Sequence, residues 1–180
     1  TCALPIYRGH ITGYHIDALA AVDIALWDLK GKLLGQPVWQ LLGGAYRDTI
    51  PCYVSGLPEP DLPARCQLAK RWQAKGFNAV KLALGYGVRE DVANVRAVRE
   101  TLGEEAQIFL DAHWNYSVAD AAELATALRE FGVGFLEAPL LPEDVEGHRE
   151  LRSKSPVAIA LGETERTRYQ FKSLDRKSVV

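Results

Sequence analysis

The sequence has no apolar run approaching the ~20 residues of a bilayer span, so no membrane-crossing segment is expected. It has no charged leader followed by an apolar stretch, so no secretory signal is visible. It carries little net charge, −2, which leaves no electrostatic case for nucleic acid or an acidic membrane surface. Its three cysteines, Cys2, Cys52 and Cys66, are odd in number and lack any CxxC spacing. They read as reduced thiols of a cytoplasmic protein, not as a disulfide or zinc framework. No GxGxxG or P-loop opens a helix, which lowers a nucleotide-binding reading. The chain also begins at Thr1 and not at Met, so its true start is expected to lie upstream. What is present is ordinary for a soluble protein with a sizeable core: 180 residues, 48% hydrophobic and 24% charged.

The first part of the chain reads as helix. In "DALAAVDIALWDLKGKLL" (Asp17–Leu34), Leu19, Val22, Ala25, Leu26, Leu29 and Leu33 form one apolar stripe, with Asp17 as N-cap and Gly35 and Pro37 as the stop. "PVWQLLGG" predicts a short second turn of helix. From Thr49 the pattern alternates. Strands are predicted in "TIPCYVSG", "NAVKLAL", "AQIFLDA", "VGFLEAP" and "VAIALGE". Helices are predicted between them at residues 61–76, 89–103, 117–132 and 143–155, with Asp61 and Ser117 as N-caps. Strands alternating with helices imply right-handed βαβ units and a parallel sheet, as a barrel or an open doubly wound sheet.

Three of these strands end on an acid. Asp111 closes "IFLD", Glu137 closes "GFLE" and Glu163 closes "ALGE", each 26 residues from the next. Equal spacing at about one βα repeat predicts equivalent places at the carboxyl rim, where barrel active sites are built. Neighbouring strands lie ~4.8 Å apart, so the carboxylates are expected to converge. Three clustered carboxylates repel one another unless a cation intervenes, and hard oxygen donors favour Mg²⁺. A single acid at such a junction is more often a helix N-cap; three in register favour the metal.

Taken together, "AVDIALWDLKGKLLGQPVWQLLGG", "GFNAVKLALGYG", "FLDAHWN", "FLEAPL" and "ALGETERTRYQF" resemble the mandelate racemase/muconate lactonizing enzyme branch of the enolase superfamily over nearly all of residues 14–174. The resemblance implies a partial (β/α)₇β barrel of about strands one to five, preceded by the C-terminal helical part of a capping domain. The expected division is 1–48 for the cap remnant and linker helices and 49–174 for the barrel part with its metal site. Residues 175–180, "DRKSVV", read as a basic, non-native-looking tail with no helical or strand continuation expected. The resemblance further implies Asp111, Glu137 and Glu163 as Mg²⁺ ligands and proton abstraction beside a substrate carboxylate, in a family that pairs a Lys or His base with Mg²⁺.

The chain departs from the racemase pattern on its second strand. Where such enzymes usually carry K-x-K, this sequence reads "VKLA", with Lys81 at the first position and Ala83 at the second. A two-base racemase is therefore disfavoured. Lys81 is expected either to neutralise a substrate carboxylate or simply to snorkel from the strand end. Asp111-x-His113 resembles sugar-acid dehydratases, which implies His113 as the acid that protonates a departing hydroxide, since residues two apart on a strand face the same way. Tyr86, Glu165, Arg166 and Arg168 are candidate substrate contacts. Trp114 either lines the pocket or packs under the rim, while His10, His15 and His148 read as structural or exposed.

The expected activity is Mg²⁺-dependent dehydration of an aldonate or aldarate to a 2-keto-3-deoxy acid. Racemisation, epimerisation or cycloisomerisation on the same platform, and a non-catalytic α/β domain, are the alternatives. The expected partner is a small sugar acid, with no nucleic acid or membrane, and the whole enzyme is expected to be a homo-oligomer. Five strands are counted where the family has eight, and the later-strand His–Asp pair that usually supplies the base is absent. The chain is thus expected to be an internal fragment of a protein about twice as long. Alone it is expected to be poorly soluble, marginally folded and inactive, because both sheet edges are open.

Overall fold

The structure, a computed structural model, describes residues 12–176. Among these it divides into two compact units, residues 12–51 with Thr164–Ser173, and Cys52–Glu163 with the last described residues from Leu174. Residues 164–173, expected with the barrel part, group instead with the first unit. Cys2 and His10 lie outside the described residues.

In the first unit, α1 (Tyr14–Leu34) starts ahead of the expected cap. Gly13, at φ 83°, is the N-cap, and Asp17 falls inside the first turn, where a carboxylate suits the positive end of the helix. Gly35 ends the helix in the left-handed region, as its position after the last periodic residue predicts. A short α2 (Val38–Leu41) follows. The predicted apolar stripe is not covered: Val22, Leu26, Leu29 and Leu33 are all exposed, and Ile16 is the buried apolar residue of α1.

The second unit is a five-stranded parallel sheet whose spatial order follows the sequence, β1 (Val54–Ser55), β2 (Ala79–Ala83), β3 (Gln107–Asp111), β4 (Val133–Glu137) and β5 (Ala158–Ala160). The helices α3 (Leu62–Ala74), α4 (Val88–Leu102), α5 (Val118–Leu128) and α6 (Val145–Lys154) connect successive strands. Asp61 and Ser117 cap α3 and α5 as predicted, each side chain accepting from the backbone N–H three residues on. Asp144 does the same for α6. β1 is much shorter than "TIPCYVSG" predicted. α7 (Arg168–Arg176) is a helix not foreseen in the sequence. It carries Asp175 and Arg176, so these two are not the structureless tail expected of them, while residues 177–180 lie outside the described set.

Side-chain alternation gives the sheet two different faces. Val80, Leu82, Ile108, Leu110, Leu136 and Ile159 are buried and share one apolar cluster with Ala69, Val95, Val98, Leu124, Leu128 and Leu151 from the helices. The opposite face carries Lys81, Phe109, Asp111, Phe135 and Glu137. There the Phe109 and Phe135 rings stack with centroids 4.3 Å apart, and Tyr53 meets Phe109 edge-on at 5.3 Å.

The β3–β4 pairing contains a bulge. Ile108 pairs with Val133, but Leu110 pairs with Leu136, so β4 spends one extra residue there. Gly134 sits in that bulge, and a Cβ on it would come within 2.6 Å of Phe109 Cε1. Gly134→Val is accordingly expected to destabilise the protein by about 2 kcal/mol, the range of overpacking in a filled site. Urea unfolding checks this, and an unchanged midpoint would show that the Phe109 ring gives way freely.

Candidate active site

The carboxyl ends of β2, β3 and β4 bring three expected residues together. Asp111 and Glu137 are register partners on adjacent strands. Lys81, two residues before the end of β2, reaches between them, with Nζ 3.1 Å from Asp111 Oδ2 and 2.6 Å from Glu137 Oε2. The ammonium is largely enclosed, its side chain 12% exposed. Burial works against its charge, but the hydrogen bonds and Coulombic pull of Glu137 and Asp111 outweigh burial and raise its pKa above the ordinary lysine value. Ala83 pairs with Asp111 in the register and is exposed, so the second position of the racemase pattern faces this rim with no group to move a proton.

His113 also arrives beside Asp111, by a route the sequence reading did not foresee. β3 has ended, and His113 and Trp114 both take positive φ, 49° and 61°. Strand alternation therefore does not place this side chain. A backbone reversal does, leaving His113 Nδ1 3.5 Å from Asp111 Oδ1, with the His113 N–H donating to the same oxygen at 3.3 Å. Ala138, just past Glu137, is a third non-glycine residue at positive φ, 45°. Such conformations cost roughly 1 kcal/mol or more each and concentrate where function requires them. Here the bonds Ala112 N–H to Glu137 O (2.9 Å), Trp114 N–H to Ala138 O (2.7 Å) and Ala138 N–H to Ala160 O (3.0 Å) hold them in place.

Glu163 does not occupy the place expected of it. β5 ends at Ala160, and it is Ala160 that pairs with Glu137, so Glu163 lies three residues beyond the equivalent position. Equal spacing in the sequence misled here because the register step from β4 to β5, Glu137 to Ala160, is 23 residues where that from β3 to β4, Asp111 to Glu137, is 26. Glu163 is exposed and makes no hydrogen bond or ion pair among the described residues. Among those residues no three His, Cys, Asp or Glu side chains stand close enough together to hold a metal ion.

Tyr86 is exposed in the β2–α4 loop. Arg166 is committed within the first unit, its Nε donating to Asp17 Oδ1 at 2.7 Å and its Nη1 to Thr164 O at 2.5 Å. The Glu165 carboxylate accepts from the Thr164 hydroxyl at 3.3 Å, and Arg168 donates to the Tyr169 hydroxyl at 3.2 Å. Trp114 is half-buried, His15 is exposed and His148 is buried.

Two rim residues escaped the sequence reading. Asp91, on the first turns of α4, is fully buried and accepts from Gly85 N–H (2.9 Å), Tyr86 N–H (3.1 Å) and the Tyr116 hydroxyl (2.6 Å). Burial, then the Asp91 carboxylate, push the Tyr116 ionisation above the ordinary tyrosine range. An acid after "GYG" in a helix's first turns was the available signal, but an N-terminal acid there needs no tertiary partner.

A parallel βα sheet with facing acids and strained turns at its carboxyl rim defines the barrel-type enzyme class whose chemistry sits at strand ends. More particularly, residues 64–180 match the family described as "Enolase C-terminal domain-like", and residues 4–43 match the mandelate racemase/muconate lactonizing enzyme N-terminal domain; the chain belongs to this branch of the enolase superfamily. It is 36% identical over 162 residues to D-galactarolactone cycloisomerase of Agrobacterium fabrum, covering 87% of this chain and 43% of that protein. It is 39% identical over 164 residues to 3,6-anhydro-alpha-L-galactonate cycloisomerase of Streptomyces coelicolor, covering 88% and 44%. It is 34% identical over 157 residues to D-gluconate dehydratase of Thermoproteus tenax, covering 81% and 32%. The chain therefore spans less than half the length of these relatives.

Among solved structures, the 3,6-anhydro-D-galactonate cycloisomerase from Zobellia galactanivorans superposes with a TM-score of 0.92 at 33% identity, covering 99% of this chain and 50% of that one. A racemase from Streptomyces coelicolor with bound magnesium superposes with a TM-score of 0.88 at 36% identity, covering 97% and 49%. The α/β architecture is thus that of the superfamily's barrel domain. No helix among the described residues is long and apolar enough to cross a membrane.

Proposed function

We propose that this chain carries the metal-binding half of an active site that removes the proton beside a sugar-acid carboxylate and expels an oxygen from the next carbon. The observation that carries this reading is the cluster of Asp111, Glu137 and Lys81 with His113 at its edge. Two hard carboxylates side by side, already drawing one ammonium between them, are a donor set suited to Mg²⁺. Asp111 and Glu137 would hold the ion, with the uncommitted Glu163 carboxylate as the third ligand. Bound there, Mg²⁺ would supply Lewis acidity toward the substrate carboxylate as negative charge builds on it.

The chain's own residues divide the remaining work. Lys81 would meet the substrate carboxylate and hold it against the rim. His113, exposed on one side and fixed by Asp111 on the other, would donate a proton to the departing oxygen. In balance, the C2–H bond breaks and its proton goes to a base. The C3–O bond then breaks, the oxygen takes the His113 proton, and the enol product settles as a 2-keto-3-deoxy acid.

This chemistry covers both dehydration and cycloisomerisation. If the leaving oxygen is a free hydroxyl, water departs and the enzyme is a hydro-lyase. If that oxygen is part of a ring, the product keeps every atom and the reaction is an isomerisation. The dehydratase relative favours the first outcome and the two cycloisomerase relatives favour the second. Racemisation is less well supported, since Ala83 faces Asp111 where a second lysine would be needed.

The test is His113→Asn in the enzyme that carries this sequence, with D-gluconate and D-galactarolactone as substrates. Elimination is expected to fall by 10²–10⁴-fold, the range for loss of a general acid, while deuterium exchange at C2 continues. Unimpaired elimination would remove His113 from the mechanism. Exchange without any elimination in the parent would turn the reading toward a racemase.

A further inference from the structure

We infer that Asp91 and Tyr116 are positioning residues that latch the β2–α4 loop to the β3–α5 loop, and so fix Tyr86 and His113 relative to one another. Among the described residues, neither hydrogen-bonds to Lys81, Asp111 or Glu137. Each binds the backbone that carries the rim.

Asp91 uses one carboxylate oxygen on Tyr86 N–H and the other on both Gly85 N–H and the Tyr116 hydroxyl. Tyr116 in turn accepts from Gly87 N–H at 3.1 Å. Every N–H of the Gly85-Tyr86-Gly87 loop is thus held by one of these two side chains. Gly85 and Gly87 are at φ 109° and 116°, which side-chain-bearing residues rarely adopt, so the loop depends on glycine for its path.

Tyr116 belongs to the other loop. Its own N–H donates to Pro139 O at 3.0 Å, two residues after the Trp114 N–H binds Ala138 O. The two loops also touch directly. A Cβ on Gly85 would lie 2.6 Å from Ala112 O and 2.8 Å from Asn115 Nδ2, so the backbones already meet with no room for a side chain. The Asp91 carboxylate is therefore shared between one loop through two amides and the other through a phenol. Charge-assisted bonds of this kind, in a fully buried place, are strong and directional.

His113 and Trp114 hold costly backbone conformations between the end of β3 and Tyr116. Tyr116 anchors the far end of that segment. Loosening the anchor lets the strained turn relax and carries His113 away from Asp111. The catalytic meaning of the latch rests on the function proposed above, but the latch itself needs neither cation nor substrate to be tested.

The experiment uses the enzyme that carries this sequence, labelled with 5-fluorotryptophan, with the fluorine resonances of Trp114 and Trp72 assigned by Trp→Phe replacement. Asp91→Asn and Tyr116→Phe are each compared with the parent without added metal, alongside amide hydrogen exchange. Both variants are expected to shift the Trp114 resonance and leave that of Trp72, in α3, unmoved. Exchange is expected to quicken about ten-fold or more at Gly85 and Tyr86 in Asp91→Asn, and at Gly87 in Tyr116→Phe, as for loss of a buried hydrogen bond. Asp61→Ala, which removes the α3 cap, should lower the melting temperature without moving Trp114.

If Asp91→Asn lowers stability but leaves the Trp114 resonance in place, Asp91 is only a support for its own loop and the inference fails. Unfolding of Tyr116→Phe, which loses a single hydroxyl, would overturn it as well, because a rim latch should be dispensable to the apolar core. Failure here leaves the metal assignment standing, and failure of the parent to bind Mg²⁺ leaves the latch standing.

Discussion

Replacing Lys81 by Met is expected to cost the cation-free protein about 3 kcal/mol, the lower end of the range for breaking an enclosed ion pair from one side. The lysine is the counter-charge of two neighbouring carboxylates, Asp111 at 3.1 Å and Glu137 at 2.6 Å. Methionine fills similar space but leaves both acids facing each other with no counter-charge between them. Glu137 is the more exposed partner, at 22%, which gives the pair some access to water and keeps the expected cost at the lower end. Urea unfolding in the presence of EDTA reads the loss. Millimolar Mg²⁺ should recover part of it in the variant while adding less to the parent, where the cation must compete with the ammonium. A Lys81→Met protein as stable as its parent would mean that the lysine is not what holds the two acids together.

Glu137→Gln should weaken Mg²⁺ binding on the order of 100-fold, as expected when a charged oxygen ligand becomes a neutral amide. Asp111→Asn should behave alike. The informative comparison is Glu163→Gln. Glu163 is exposed and lies three residues past the position paired with Glu137. An equal loss in that variant would make it the third ligand, brought in by movement of the segment after β5. Calorimetric titration with Mg²⁺ at fixed pH measures all three. Undiminished affinity in Glu137→Gln would end the metal reading for the β3–β4 pair.

The sequence made the helices and strands of the second unit readable because their signals are local. Asp61 and Ser117 announce helices through bonds only three residues long. Gly103 marks a helix end, and short apolar runs mark the strands. The facing of Asp111 and Glu137 was also anticipated, from equal spacing.

The same spacing failed one strand later, because it counts residues along the chain and does not report the register in which neighbouring strands pair. β5 ends at Ala160, and the extra three residues put Glu163 outside the register. His113 reached the predicted neighbourhood for a reason that alternation does not supply, namely a positive φ held by bonds to the next strand's loop. The Asp91–Tyr116 bond joins residues 25 apart through their side chains, and no periodicity encodes such a contact. The exposed stripe of α1 shows the converse: its spacing was read correctly, yet nothing in the described chain buries it.

The bulge at Gly134 turns the site into a matter of parity. Before it, residues of β3 and β4 pair with an offset of 25, as Ile108 does with Val133; after it the offset is 26, as Asp111 has with Glu137. Were the unchanged sequence to pair regularly from Val133 onward, Leu136 would sit beside Asp111, and Glu137 would be turned to the helix side among leucines. Deleting Gly134 should therefore abolish the bulge yet keep Asp111 beside Glu137, because the residue lost is the one the bulge absorbs. Deleting Phe135 as well would leave the strand one residue short, pair Glu137 with Leu110 and turn the acid to the helix side. The bulge thus gives this strand room to lose one residue without parting the two acids, and room for no more.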